Sequence, residues 1–226
     1  NRMRHRCALV GLVTIVIANG PAEALTIVAG GQARASIIIP DEPLPVVRFA
    51  AEELQYHVRR ASGAELPIVA EAQMPPGAVI VLGACRATTA AGVLPADLQP
   101  NEWVGRLVGD RLYLAGDDSD GAPAWLLHNN RTRVGTLFAV YEWIERTLGV
   151  KWLWPGELGT VIAPAADIVV TSWEQRGKPA FIHTRWRDAG PMLAGTEGWS
   201  SGEARSRFLT EQGKWLRRHR FAMGRN

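Results

Sequence analysis

Between Val134 and Leu148 the apolar residues fall three and four apart. Val134, Leu137, Phe138, Tyr141, Ile144 and Leu148 make one stripe, with Glu142, Glu145 and Arg146 on the other side. That spacing predicts a helix packed on a core. Thr136 is placed to cap its start, and Gly149 to end it in a left-handed conformation. Trp152 and Trp154 then alternate with Lys151 and Leu153, which predicts a strand with both indoles on one side, broken at Pro155-Gly156. A second stripe, Val47, Ala50, Ala51, Leu54, Val58 and Ala61, predicts a helix over 46–62 that stops at Gly63, with Glu52, Glu53, Arg59 and Arg60 turned outward.

The β-branched run over 35–39 predicts a first strand, and segments 66–69 and 78–83 predict two more. The 78–83 segment is apolar throughout, as a central strand is. Segments 103–108 and 111–115 predict a hairpin across Gly109-Asp110, where glycine in the first turn position suits a two-residue type II′ connection. A short strand over 168–170 closes the set, and 172–178 reads as a linker. The order of strand, helix, several strands, helix and strand predicts an α+β domain: a mixed sheet with two helices packed on one face.

Two runs carry a resemblance. The stretch 135–162, GTLFAVYEWIERTLGVKWLWPGELGTVI, and the stretch 48–69, RFAAEELQYHVRRASGAELPIV, resemble a small α+β domain. It precedes the catalytic barrel in secreted glycoside hydrolases of the β-N-acetylhexosaminidase and α-glucuronidase types, and in a related group of bacterial proteins of uncharacterised function. Pro179-Ala180-Phe181-Ile182-His183-Thr184-Arg185 is similar to the entry into the first barrel strand of that family. The resemblance implies an accessory domain over 25–177, then the first strand and helix of an incomplete (β/α)8 barrel over 178–226. One strand and one helix cannot close such a barrel, so the chain is expected to be the amino-terminal part of a longer protein. The helix of this unit is expected over 203–220, with its arginines on an outer face.

Charge changes the picture at the two ends. Arg2, Arg4 and Arg6 precede an apolar run over 7–18 that is too short to span a bilayer, and Ala22-Glu23-Ala24 fits a small-x-small cleavage pattern. An export leader over 1–24 is expected, with the mature chain starting at Leu25; the alternatives are an uncleaved anchor or a buried helix. Of the net +3, the leader carries +2 and the stretch from Arg205 onward +6, which leaves −5 for the body between them. The sequence pI of about 9.2 therefore describes the ends, and nucleic acid is not an expected partner. Cys85 is the one cysteine beyond the leader, so neither an internal disulfide nor a cysteine metal site is expected.

Candidate chemistry is sparse. The resemblance implies that Arg185, at the end of the first barrel strand, grips sugar hydroxyls, a task suited to a fixed fork of donors; pairing with a carboxylate at the domain junction is the alternative. His183 and Asp188 lie nearby. Trp152, Trp154, Trp186 and Trp199 offer flat faces for sugar rings or for packing between domains. Packing is expected for Trp152 and Trp154, and Trp199 remains a candidate for substrate binding. Asp117, Asp118 and Asp120 before Gly121 resemble part of a calcium loop, but the later Glu is missing, so a solvated turn is expected. No catalytic residue, metal or cofactor is assigned. The carboxylate pair of a glycosidase would lie beyond Asn226, and this chain alone is expected to be inactive. Two readings of function stay open. One is an accessory domain supporting the barrel of an exported glycoside-hydrolase-like protein whose partner is a carbohydrate. The other is a carbohydrate- or cell-surface-binding module without hydrolytic activity. Neither needs a membrane anchor once the leader is removed.

Overall fold

The computed structural model describes residues 24–123, 131–181 and 202–221. Its elements in chain order are β1 (Leu25–Ala29), β2 (Gln32–Ala33), β3 (Ser36–Ile39), α1 (Pro45–Ser62), β4 (Ile68–Ala70), β5 (Val79–Leu82), α2 (Arg86–Ala90), β6 (Trp103–Val108), β7 (Arg111–Gly116), α3 (Gly135–Leu148), β8 (Lys151–Trp152), β9 (Thr160–Val161), β10 (Ile168–Val170), β11 (Glu174–Gly177) and α4 (Gly202–Arg218). The strands and helices predicted over 35–170 and the helix predicted over 203–220 are present, and the architecture is α+β; the barrel strand expected from Pro179 to Arg185 falls largely outside the described residues.

The main sheet has the order β11-β6-β7-β5-β3-β4. β4, β3, β5 and β7 run parallel, whereas β6 and β11 are antiparallel to their neighbours, so the sheet is mixed. β5, the all-apolar segment, is central and fully buried. The β6–β7 hairpin turns at Gly109 with φ 59°, the positive angle that the two-residue connection requires.

α1 and α3 pack on one face of this sheet. Leu54 and Val58 of α1, Leu137, Phe138 and Ile144 of α3, and Ile37, Ile80 and Leu112 of the sheet share one core. Trp143 is wholly buried there, and burying such a ring contributes about 2–3 kcal/mol. Both helices end at a glycine in the left-handed region, Gly63 and Gly149, as their sequence predicts. The opposite face of the sheet is covered as well. Ile38, Val79, Val81 and Tyr113 meet Ala87 of α2 and the chain that follows it, through Val93, Leu94 and Leu98.

Five expectations are corrected. A strand precedes the predicted first one: β1 pairs with β10 and β2 in a separate three-stranded sheet. The predicted linker over 172–178 contains β11, whose residues Glu174 to Gly177 pair with Arg106 to Trp103 at the edge of the main sheet. The strand carrying the two tryptophans ends at Trp152, which is buried, while Trp154 is 63% exposed. Thr136 does not cap α3, whose N-cap is Val134 without a side-chain cap bond. A carboxylate from elsewhere serves instead: the Asp118 carboxylate accepts from the Thr136 backbone N–H at 2.9 Å and from its hydroxyl at 2.5 Å. The acidic segment over 117–121 is thus a structural joint, with Asp117 paired to Arg133 at 2.7 Å, and not the solvated turn expected.

The start of α3 also explains why glycine stands at 135. A Cβ there would lie 2.5 Å from the Asp117 nitrogen and 2.5 Å from the Glu102 oxygen. Gly116 faces the same crossing, with Gly135 Cα 2.6 Å from its own would-be Cβ. Here β7, the chain before β6 and α3 pass closer than any side chain allows.

Candidate functional site

α4 follows the undescribed residues 182–201 and lies against α3. Its apolar and basic residues together decide how it sits. Leu216 is fully buried, and so is Arg217, while Arg218 keeps 5% exposure. The expectation of an Arg-rich outer face is therefore wrong for these two residues. They point inward because the surface they meet carries the matching acceptors.

Glu53 is the first acceptor. Sequence periodicity places it outward on α1, yet it is buried at 7% exposure. Arg218 grips its carboxylate with Nη2 at 2.9 Å and 3.3 Å and with Nε at 3.1 Å, and the Tyr141 hydroxyl donates to it at 3.0 Å. A buried carboxylate needs such partners, because losing its water without them costs several kcal/mol. Burial works most strongly against the charge of Arg218, but the Glu53 charge and hydrogen bonds, together with Tyr141 and Glu211, leave the guanidinium pKa raised. Burial pushes the Tyr141 phenol well up, and the adjacent Glu53 charge adds to the shift.

Trp152 forms the floor beneath this pair. Its ring lies 5.7 Å from the Arg218 guanidinium carbon and edge-on to Tyr141 at 5.4 Å. Its indole N–H donates to His57 Nε2 at 3.1 Å, and the Trp215 indole of α4 donates to its carbonyl at 2.9 Å. Packing, as expected, is the role of Trp152.

Arg217 is held differently. Its guanidinium donates to the carbonyls of Pro123 at 3.1 Å, Thr132 at 3.2 Å and Phe221 at 3.0 Å. Burial pulls its pKa down to about 10, which still leaves it charged at neutral pH. Past α4, Arg220 adopts a left-handed φ of 58° and reaches back to Glu142 at 2.8 Å and Glu145 at 2.5 Å. α4 is therefore seated by three arginines in succession along its end. They reach α1, α3 and the two ends of the chain around the undescribed residues 124–130.

This arrangement joins α4 to α1 and α3. Its carboxylates are each committed to a guanidinium. Among the described residues no three His, Cys, Asp or Glu side chains are grouped to hold a metal, and no helix is long and apolar enough to cross a membrane. The residues singled out for sugar contact, Arg185 by the resemblance and Trp199 by its aromatic face, lie outside the described residues, as do His183, Trp186 and Asp188.

Comparison with known proteins adds a distant structural likeness. No family model matches the chain, and no curated protein does. Among solved structures the fold is similar to that of a family GH115 4-O-methyl-α-glucuronidase, BtGH115A, described as having specificity for decorated arabinogalactans. The two are 17% identical with a TM-score of 0.49; the likeness covers 87% of this chain and 25% of that one. The chain thus spans about a quarter of that protein's length.

Proposed function

We propose that residues 25–177 are a non-catalytic accessory domain of an exported carbohydrate-active protein. The domain packs against a following barrel and supports it, with α4 as the first helix of that barrel. The observation that carries this reading is the Glu53–Arg218 pair, a buried contact that joins residues 165 positions apart and fixes α4 on the helical face of the domain. A pair so placed registers one unit on another more than it adds net stability. The sequence resemblance of 48–69 and 135–162 to domains that precede glycosidase barrels supplies the class of the following unit. The leader-like pattern over 1–24, with β1 beginning at Leu25, supports export.

Hydrogen exchange on the full chain tests the docking. Amides of α4 should be protected in the parent protein, and Arg218→Ala should bring them toward the rate of a free helix while α3 stays protected. Equal protection of α4 in both proteins would remove the basis for the reading.

A further inference from the structure

A cleft of about 620 Å³ lies between the tip of the β6–β7 hairpin and the chain entering β11. Its volume falls in the range of small-molecule sites. Leu107 and Trp173 form its apolar side, and Thr171, Ser172, Glu174 and Gln175 its polar side. The Trp173 indole is half-buried and packs on the main core. It lies flush on β6 because residue 105 is glycine: a Cβ there would come within 2.5 Å of the indole nitrogen.

Two observations define what the cleft takes. First, the hydroxyls of Thr171 and Ser172 and the Gln175 amide make no side-chain hydrogen bond among the described residues, although each can. Donors and acceptors are both present and uncommitted, beside an aromatic ring. Second, the local charges offset one another, Glu174 facing Arg106 at 3.8 Å.

We propose that this cleft is a binding subsite for an uncharged sugar ring of an oligosaccharide. A pyranose presents hydroxyls around its rim and C–H groups on its faces, so a tryptophan with free amide and hydroxyl partners matches it. The aromatic surface takes the face, and the polar side chains take the rim. An anionic sugar is disfavoured because the lining offers it no cation, and nearby Arg106 already faces Glu174. The proposal goes beyond the accessory role and does not depend on it: the docking of α4 and the binding of sugar fail or succeed separately.

Titration calorimetry of the full 226-residue chain with xylohexaose, cellohexaose and mannohexaose tests it, with trigalacturonate as the anionic probe. At least one neutral oligosaccharide binds, trigalacturonate does not, and Gln175→Ala weakens the binding about 5-fold or more, the loss expected for one hydrogen bond. Gln175 lies on an edge strand, so this variant keeps the fold; Trp173→Phe serves as the second variant, keeping an aromatic ring but a smaller face for the sugar. No binding by any of the three neutral sugars overturns the proposal. So does binding unchanged by both variants, or trigalacturonate binding as well as the neutral sugars.

Discussion

The indole N–H of Trp152 donates to Nε2 of His57 across 3.1 Å, while Nδ1 of the same ring faces the Glu53 carbonyl at 2.7 Å. The two contacts fix the tautomer: Nδ1 carries the proton and Nε2 the lone pair. A protonated ring would set two N–H groups against each other at Trp152. Burial lowers the His57 pKa below the ordinary 6.5, against the opposing pull of the Glu53 charge and carbonyl, while nearby Arg218 adds to the lowering. A depressed pKa in a base means stability that is complete above pH 6.5 and lost as pH falls below it. The melting temperature of the parent should therefore drop relative to His57→Phe between pH 7 and pH 5. Parallel curves for the two proteins would show that His57 does not titrate against the fold.

Asp118 acts in the opposite sense. Burial of its carboxyl lifts the pKa from 3.8 to about 7, although the bonds from Thr136 pull the other way. The raised folded value means a contribution that is full below pH 3.8 and lost as pH rises through 7. Asp118→Asn keeps an acceptor for the Thr136 N–H and cannot ionise. Its stability relative to the parent should rise from pH 4 to pH 8 in denaturant titrations. A constant difference across that range would refute the assignment.

The buried pair calls for a double-mutant cycle. Arg218→Ala leaves Glu53 charged and buried with only the Tyr141 hydroxyl, and breaking such a pair costs about 3–5 kcal/mol. Glu53→Gln combined with Arg218→Met removes both charges and should cost less than the sum of those two changes made singly. Urea unfolding measures each variant. Additive losses would mean that the two residues act independently and that α4 is held by other contacts.

The sequence made the frame legible because the frame is periodic. The stripes of α1 and α3, the apolar run of β5 and the glycine turn of the hairpin each carry a local signal, and each element lies where that signal places it. What escaped has no local signal. Glu53 reads as a surface residue until Arg218, 165 positions away, arrives to cover it. Arg217 and Arg218 read as solvated because three of the groups that accept from Arg217 are backbone carbonyls, which sequence does not distinguish. β11 has the composition Glu-Gln-Arg-Gly and reads as a linker, since an edge strand needs no apolar alternation to pair. Trp173, at its entry, was hidden by the same reading, and a lone tryptophan before a charged strand was the available clue. Asp118 sits in an acidic run that composition assigns to solvent, while its role is set by the start of α3.

Gly135 offers the sharpest steric prediction. Its would-be Cβ meets the Asp117 nitrogen and the Glu102 oxygen at 2.5 Å, and both are backbone atoms already bonded to each other at 2.9 Å. Neither can rotate away as a side chain would. Gly135→Ala must therefore spread β7 from α3, which breaks the Gly135 N–H bond to the Asp117 carbonyl at 3.0 Å and loosens the Asp118 cap. The loss expected is about 1–3 kcal/mol or more, the scale of overpacking a close contact. Gly202→Ala is the control. It opens α4, has nothing within 4 Å of its would-be Cβ, and should be neutral or slightly stabilising, because alanine favours a helix over glycine by about 1 kcal/mol. Thermal melts of the two variants decide the matter: if Gly135→Ala melts with Gly202→Ala, the crossing of β7 and α3 is not as close as described.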